Sequence, residues 1–271
     1  MRAARRLALC ALLWATPALA GPLDLDGKLV QGGLVLGRAE PGARVVLDGR
    51  AVRVAADGRF VIGFGRDAPP EALLTLTSPA GAVEERRLAI AQRSYDIQRI
   101  DGLPDAMVTP SEADLKRIAV EAESVAAARA VDSAVAYFVD GFNWPALGPI
   151  SGVYGSQRIL NGEPRRPHFG VDVAAPEGAP VRAPAAGVIT LADPDLYFTG
   201  GTVILDHGHG LSSTFSHLRE VAVKVGDRLA QGDPVGTVGA TGRVTGAHLD
   251  WRLNWFDTRL DPQLVVGPMP E

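Results

Sequence analysis

The sequence has little of several features that would assign it to a class of protein. It contains one cysteine, Cys10, and 6% aromatic residues in 271 positions. A single thiol excludes an internal disulfide framework. The formal net charge is -4, without a long run of like charge, which argues against a nucleic-acid or membrane-surface partner. After the N-terminus no segment approaches roughly 18 uninterrupted apolar residues, so we expect a soluble mature protein.

The N-terminus has the three parts of an export signal. Arginines lie within the first six residues, an apolar stretch runs from Leu7 to Trp14, and Ala18 and Ala20 precede Gly21. This order predicts a secretory signal peptide over residues 1–20 and a location in the periplasm or cell envelope. Cys10 would be removed with it. A membrane anchor, or a lipid anchor at Cys10, is the less favoured alternative.

Short alternating runs separated by turn pairs fill residues 21–104, for which we predict a small β-sandwich domain. Asp48-Gly49 interrupts the apolar run from Arg44 to Val54, and Asp57-Gly58 precedes a second run that ends at Ile62. Asp-Gly pairs supply the positive φ angles of two-residue turns, so the two pairs predict consecutive hairpins. No cluster of titratable residues with catalytic spacing occurs here, which favours a binding or spacer role.

A helical connector is predicted over residues 105–144. Thr109 is expected to cap the helix, Pro110 to occupy its first position and Glu112 its third. Good helix formers continue to about Phe138, and four apolar side chains share one face, namely Leu115, Ile118, Ala122 and Val125.

Residues 145–271 form the third predicted unit. Glycine and proline separate short apolar runs, with no run at helical period, which predicts an all-β domain with a groove between its loops. The predicted fold class is therefore mainly β: an N-terminal sandwich, one long connecting helix and a C-terminal all-β domain.

All five histidines of the chain lie between residues 168 and 248. His168 and Asp172 are four positions apart, with Gly170 between them to allow a bend. His248 and Asp250 are two apart in an expected strand, so they face the same side. His217 ends another apolar run. Zinc accepts imidazole nitrogen and carboxylate oxygen ligands, so this clustering predicts a metal site.

The order of motifs resembles the LytM/lysostaphin-type zinc metallopeptidases over about residues 145 to 265. The resemblance is carried by Gly148–Gly155, His168-x3-Asp172, Pro180-Val-x-Ala-Pro184, Ser216-His217-Leu218, Val225-Gly226-Asp227 and the run from Thr241 to His248-Leu249. It implies an all-β scaffold with a cleft across its sheet. It also implies zinc-dependent hydrolysis of peptide bonds in bacterial peptidoglycan, often the cross-links.

By this resemblance, His168 and Asp172 match two zinc ligands. His217 and His248 match two histidines that do not bind the metal but orient water and stabilise the tetrahedral intermediate. The last motif of the family is His-x-His, and its second histidine is the third ligand. Asp250 stands at that position here. We therefore predict one zinc ion held by His168, Asp172 and Asp250.

Two functions follow from this ligand set. Two carboxylates would cancel the charge of zinc and leave a weaker Lewis acid, so we predict a metalloendopeptidase of reduced activity. The alternative is a catalytically degenerate domain that binds peptidoglycan or activates a cell-wall amidase through a partner helix, with an amidase or a divisome protein as the partner. The substitution at Asp250 favours the alternative, whereas the four other matched positions favour the enzyme.

Other residues near the motifs receive structural interpretations. His207 and His209 flank Gly208, and we expect them at the surface or at the rim of the cleft rather than at a second metal site. Trp251, Trp255 and Phe256 are expected in the core or the cleft wall. For Tyr154 a place in the substrate groove and plain packing remain equally open.

Overall fold

The computed structural model describes residues 23–100, 111–160, 162–164 and 166–270. The predicted signal peptide and the predicted helix cap at Thr109 lie outside these residues. None of the described helices has the length and hydrophobicity needed to cross a bilayer. The described fold is dominated by antiparallel sheets with one α-helix, which confirms the predicted fold class.

Seven strands form the N-terminal part: β1 (Asp24–Gly27), β2 (Leu34–Arg38), β3 (Arg44–Leu47), β4 (Arg50–Val52), β5 (Arg59–Gly63), β6 (Glu71–Thr77) and β7 (Val83–Ala89). They make a three-stranded sheet, β1-β2-β5, and a four-stranded sheet, β4-β3-β6-β7. Buried side chains of both sheets belong to one apolar cluster, in which Val35, Phe60 and Leu74 are almost fully buried. The predicted β-sandwich is therefore confirmed.

One of the two predicted hairpins is correct. β3 pairs with β4 across Asp48 and Gly49, and both turn residues have positive φ angles. The second is confirmed only as a turn closed by one antiparallel bridge, between Val54 and Phe60, because β5 pairs along its whole length with β2. At Asp57-Gly58 the chain crosses from one sheet to the other, which the turn sequence alone does not distinguish from a hairpin.

The connecting helix α1 runs over Glu112–Arg129. Ser111 is its N-cap, and a reciprocal pair of hydrogen bonds with Asp114 forms a capping box. The prediction that the helix continues to Phe138 is wrong. After Arg129 the chain bonds to the C-terminal domain, since the backbone N–H of His209 donates to the carbonyl of Ser133 and the Ser133 hydroxyl donates to Asp206. A short 3₁₀ turn, Tyr137–Asp140, follows.

The remaining strands are β8 (Ile97–Ile100), β9 (Ile150–Gly152), β10 (Gln157–Leu160), β11 (Glu163–Pro164), β12 (Val171–Val173), β13 (Pro180–Arg182), β14 (Gly187–Leu196), β15 (Gly200–Gly208), β16 (Leu211–Val221), β17 (Arg228–Leu229), β18 (Pro234–Val238), β19 (Leu249–Trp255) and β20 (Thr258–Leu260). A 3₁₀ turn, Pro262–Leu264, follows β20.

The largest sheet has the order β17-β14-β15-β16-β19-β12-β9, with β18 and β20 pairing to β16 and β19 and β13 pairing to β18. One face of β19 packs its Trp251 and Leu253 side chains into apolar cores. Because side chains alternate along a strand, Asp250, Arg252 and Asn254 occupy the opposite face. That face is polar.

The N-terminal and C-terminal parts are joined by shared packing. β8 pairs in parallel with β10, and the apolar cluster of the sandwich continues into Leu211, Leu253, Trp255 and Leu260 of the large sheet. The sandwich is thus packed against the scaffold that carries the histidines. Helix α1 packs on the same scaffold through Ala128, which contacts a small cluster around Leu191 and Ile204.

Candidate metal centre

Strand pairing brings the two carboxylates of the candidate centre together. Asp172 of β12 and Asp250 of β19 are direct partners in an antiparallel pair. Side chains at such positions lie on the same face within about 5 Å of each other at Cβ. His168 precedes β12. Its backbone N–H donates to the carbonyl of Ser156, which holds the segment around His168 against the start of β10.

The three side chains converge on one point. His168 Nε2 lies 3.1 Å from Asp172 Oδ1 and 3.6 Å from Asp250 Oδ1. One ligand atom from each of the three residues falls within 4.8 Å of the others. Donor atoms bound tetrahedrally to zinc at 2.0 to 2.2 Å are about 3.4 Å apart. The two distances from His168 Nε2 are therefore close to the spacing around one such ion.

Two donor atoms of the cluster have no other interaction that satisfies them. His168 Nε2 and Asp172 Oδ1 are buried, and apart from contacts within the cluster, such as the 3.1 Å between them, neither has a hydrogen-bond partner. His168 Nδ1 lies 3.3 Å from the carbonyl oxygen of Val153, to which it donates. That contact accounts for the Nδ1 proton, so Nε2, which faces the cluster, is the nitrogen that a metal would bind in exchange for a proton. Buried polar atoms normally have a partner outside such a cluster, and a bound cation would supply one.

Asp250 differs from the other two donors because an arginine already neutralises it. Arg252 Nε lies 3.0 Å from Oδ1 and 2.9 Å from Oδ2, and its Nη2 also donates to Oδ2. Burial alone raises the pKa of the Asp250 carboxyl, but the charge of Arg252 and the nearby His168 outweigh it and hold that pKa well below its usual range. Asp250 is thus an ionised, almost fully buried carboxylate.

This ion pair corrects the charge count made from the sequence. Zinc with Asp172 and Asp250 alone would be neutral, but Arg252 adds one positive charge at the same place. The net charge of +1 equals that of the family ligand set, in which one carboxylate and two imidazoles hold the metal. The expected loss of Lewis acidity from a second carboxylate is therefore offset by Arg252.

The protonation of His168 follows from the same charges. Burial lowers its pKa, but the carboxylates of Asp172 and Asp250 outweigh burial and raise the pKa to about 10. A metal that binds Nε2 near neutral pH must displace a proton. Such binding is pH-dependent and releases that proton to solvent.

The two other candidate histidines lie beside the cluster. The rings of His217 and His248 are 4.9 Å apart between centroids, and His248 Nε2 lies 3.8 Å from Asp172 Oδ1. Each Nδ1 donates to a backbone carbonyl, of Thr241 for His217 and of Gly246 for His248, at 2.9 Å in both cases. The Nε2 atom of the neutral ring is then an acceptor. Burial lowers the pKa of His217, which favours its neutral form at pH 7.

The backbone around the site is constrained in two places. His217 has a φ angle of 67°, a left-handed conformation that is uncommon for a residue with a side chain and is concentrated at functional sites. At Gly170 a Cβ atom would lie 2.6 Å from Asp250 Oδ1 and 2.7 Å from Arg252 Cγ. Glycine is required there for close approach to β19, in addition to the bend expected from the sequence.

Helix α1 closes one side of the site. It forms one wall of a cavity of about 1820 Å³ whose other wall includes His168, Asp172 and His217. From the helix, Ile118, Ala122 and Val125 face this space. The apolar stripe predicted for the helix thus lines the cavity in large part, although Leu115 is half exposed.

The prediction for His207 and His209 is wrong. Both side chains are almost fully buried, at 0% and 1% exposure. His207 bonds to the carbonyl of Ala186 and to the Ser213 hydroxyl, and burial lowers its pKa to about 4. His209 bonds to the carbonyl of Ala134. The glycines beside them allow the connector to approach, so a turn sequence here marks an interface within the chain rather than the surface.

The aromatic residues take the predicted places. Trp251 and Trp255 are buried in the core, and Phe256 lines the cavity. Tyr154 is a packing residue, since it is 2% exposed and its hydroxyl donates to the backbone carbonyl of Arg259.

Reasoning from the sequence missed the arginines of the site. Arg252 pairs with Asp250, while Arg129 and Arg259 line the adjacent cavity. Arg252 is two positions after Asp250 in a strand, so its place on the same face could have been deduced. Arg129 could not, because its approach depends on how the helix packs against the sheet.

The comparisons with known proteins agree with this geometry. The family model for Peptidase family M23 matches residues 166–262, which include all five candidate site residues. A crystal structure of a peptidase M23 from Pseudomonas aeruginosa is similar with a TM-score of 0.69 and 31% sequence identity. The similarity covers 88% of this chain and 94% of that chain. A site of this kind within this fold is that of a metallopeptidase family, and the chain belongs to peptidase family M23.

Curated relatives are similar over the C-terminal part. The chain is 38% identical over 106 residues to the DD-carboxypeptidase/endopeptidase Mpg of Neisseria meningitidis serogroup B, which is 39% of this chain and 24% of that protein. It is 35% identical over 104 residues to the peptidoglycan DD-endopeptidase ShyC of Vibrio cholerae, 38% of this chain and 24% of that protein. The cell division protein DipM of Caulobacter vibrioides is 32% identical over 127 residues, 47% of this chain and 20% of that protein. The matches thus span about a quarter or less of these relatives.

Proposed function

We propose that this protein is a zinc-dependent endopeptidase that hydrolyses peptide cross-links of bacterial peptidoglycan. His168, Asp172 and Asp250 would hold one zinc ion. The observation that carries the proposal is the convergence of three donor atoms within 4.8 Å, two of which are buried and have no partner outside the cluster. Buried polar atoms normally have such a partner, and a bound cation would supply it.

The metal would supply Lewis-acid activation of the peptide carbonyl and of water. The chain supplies the proton transfers. His217 and His248 each direct Nε2 away from a backbone carbonyl and lie next to the cluster. Through Nε2 they would accept the proton of the attacking water and return it to the leaving amine, and while they carry that proton they would donate a hydrogen bond to the oxyanion.

The cellular setting is proposed from the sequence and the relatives. Residues 1–20 have the pattern of a secretory signal peptide, and relatives of the C-terminal part include peptidoglycan endopeptidases. We place the protein in the periplasm or cell envelope, with peptidoglycan peptide stems as its substrates. We further propose residues 21–104, 105–144 and 145–271 as sandwich, connector and peptidase domain.

A second candidate is a domain without hydrolytic activity that binds peptidoglycan or activates a cell-wall amidase within the division machinery. The ion pair between Asp250 and Arg252 favours it, because the arginine occupies both carboxylate oxygens. Similarity to a cell division protein is consistent with this role. Against it, Oδ1 accepts one hydrogen bond from Arg252 and lies 3.6 Å from His168 Nε2, so it can serve the cluster as well.

Digestion of purified peptidoglycan tests the proposal. The wild type should release peptides whose masses correspond to cleaved cross-links, and Asp172→Asn should release none. Asp227→Asn is the matched control, since Asp227 lies in a turn next to Lys224 and away from the cluster. Zinc content is measured on all three proteins.

The two candidates predict different products. Cross-link cleavage by the wild type and by Asp227→Asn, with loss in Asp172→Asn, supports the endopeptidase. No products from a zinc-loaded wild type, together with stimulation of an added amidase, supports the degenerate domain instead.

A further inference from the structure

A group of arginines without matching acids lies beside the candidate metal centre. The cavity next to the cluster is lined by six arginines and four carboxylate residues. Arg50 of the lining pairs with Asp257, and Arg252 pairs with Asp250 of the cluster. Glu121 pairs with Arg117, which is not part of the lining. The described lining therefore has two more arginines than carboxylates.

Three of these arginines meet on the polar face of the sheet. Arg252 of β19 is the direct partner of Thr214 in β16, and Arg129 of helix α1 donates to the Thr214 hydroxyl at 3.3 Å. Arg259 of β20 is the partner of Asn254, which lies two positions beyond Arg252 on the same face. Helix α1 on one side of the cavity and strands β19 and β20 on the other thus direct their guanidinium groups to one region.

This region contains hydrogen-bond donors that are not satisfied. Arg129 Nε and Arg259 Nη1 are buried and have no hydrogen-bond partner, and the same is true of both amide atoms of Asn254. Burial, with the charges of Arg259 and Arg252, lowers the pKa of Arg129 to about 8. Buried guanidinium groups without an acceptor are unfavourable, and an anion bound between them would remove that penalty.

We propose that Arg129, Arg259 and the free edge of Arg252 form a binding subsite for a carboxylate of the peptide substrate. This rests on the proposed peptidase function. Guanidinium groups bind carboxylates through paired N–H donors, and Arg252 retains Nη1 in addition to the two nitrogens that bond Asp250. Because Arg252 also contacts Asp250, the bound carboxylate lies within about one residue of the scissile bond. The substrate class is a peptide with a free carboxylate next to the bond that is cleaved.

The subsite also assigns a role to helix α1. Arg129 is the last residue of the helix, and its side chain reaches Thr214 of the sheet on the other side of the cavity. The helix therefore completes the subsite in addition to covering it. A carboxylate ligand would bridge the helix and the sheet, because it accepts hydrogen bonds from both.

Calorimetric titration of the full-length chain tests the subsite. The probes are N-acetyl-D-alanyl-D-alanine, which ends in a carboxylate, and the same peptide with a C-terminal amide. We expect the wild type to bind the acid at least about tenfold more tightly than the amide, as for a charge-assisted pair. Arg259→Gln and Arg129→Gln should reduce that ratio to about one. Arg243→Gln, an exposed position that lines the same cavity but contacts Phe198 instead, should keep the wild-type ratio.

Two further readouts separate folding and turnover from binding. Thermal unfolding without peptide should show Arg129→Gln to be as stable as the wild type or more stable, because an uncompensated buried charge is removed. Mass spectrometry of the titrated peptides records cleavage. Acid preference without cleavage of any peptide or peptidoglycan would overturn the proposed function and keep the subsite. Equal binding of acid and amide by the wild type, or an unchanged ratio in both arginine variants, would overturn the subsite.

Discussion

The two strands that carry the candidate metal cluster present their donor atoms in different states. On the β12 side, His168 Nε2 and Asp172 Oδ1 are buried and contact each other but have no hydrogen-bond partner outside the cluster. On the β19 side, Asp250 is held by Arg252 through both of its oxygens. The first side offers donor atoms that a metal ion would bind. The second is a buried ion pair that is complete without a metal, and the comparison shows that the carboxylate at position 250 has a compensating positive charge beside it.

The largest expected effect lies on the β12 side. His168→Ala removes a donor that has no hydrogen-bond partner outside the cluster, so we expect zinc affinity to fall by at least about a hundredfold and hydrolysis to be lost. Competition with a fluorescent chelator measures the affinity. Asp227→Asn, treated identically, should retain wild-type affinity. Equal zinc binding by His168→Ala and the wild type would remove His168 from the ligand set.

The next effect concerns the stability that Arg252 provides without metal. Arg252→Gln leaves the Asp250 carboxylate buried with His168 as its only close cationic neighbour among the described residues. Breaking a buried ion pair costs about 3 kcal/mol in the free energy of unfolding. Denaturant unfolding in the presence of a chelator measures this loss.

Zinc should restore much of the stability lost in Arg252→Gln, because the cation replaces the missing positive charge. The wild type, unfolded in parallel with and without zinc, gives the reference. If zinc stabilises the variant no more than it stabilises the wild type, Asp250 does not contribute to metal binding.

The smallest expected effect is an energetic coupling between positions 250 and 252 of β19 in zinc binding. Asp250→His provides the ligand that is present in the family, but it leaves Arg252 beside a cation without a carboxylate between them. We expect Asp250→His/Arg252→Gln to bind zinc at least about tenfold more tightly than Asp250→His. The four zinc affinities of the wild type, both single variants and the double variant form the cycle. A coupling free energy near zero would mean that Arg252 does not act on the metal.

Sequence reasoning located the cluster but not its electrostatics. Spacing and strand periodicity predicted the pairs His168/Asp172 and His248/Asp250, and the family resemblance joined His168, Asp172 and Asp250 into one set. The pairing of β12 with β19 brings these three together in the structure. The role of Arg252 was missed since the side-chain partner of Asp250 was not considered. With Arg252 included, the net charge expected for the site with zinc bound is +1 instead of zero.

Tertiary packing decided the features that sequence reasoning placed wrongly. The helix ends at Arg129 although helix formers continue beyond it, since Ser133 bonds to Asp206 and the chain must meet the sheet. His207 and His209 are buried because that same segment covers them. Neither contact can be deduced from local secondary-structure propensity.

Anomalous scattering from crystals grown with zinc is the most direct test of the central claim, which is that an aspartate paired to an arginine serves as the third ligand. The account predicts one zinc per chain, bound by His168 Nε2, Asp172 Oδ1 and Asp250 Oδ1, with Arg252 still bonded to Oδ2. Zinc bound without Asp250, or no zinc at saturating concentration, would contradict it.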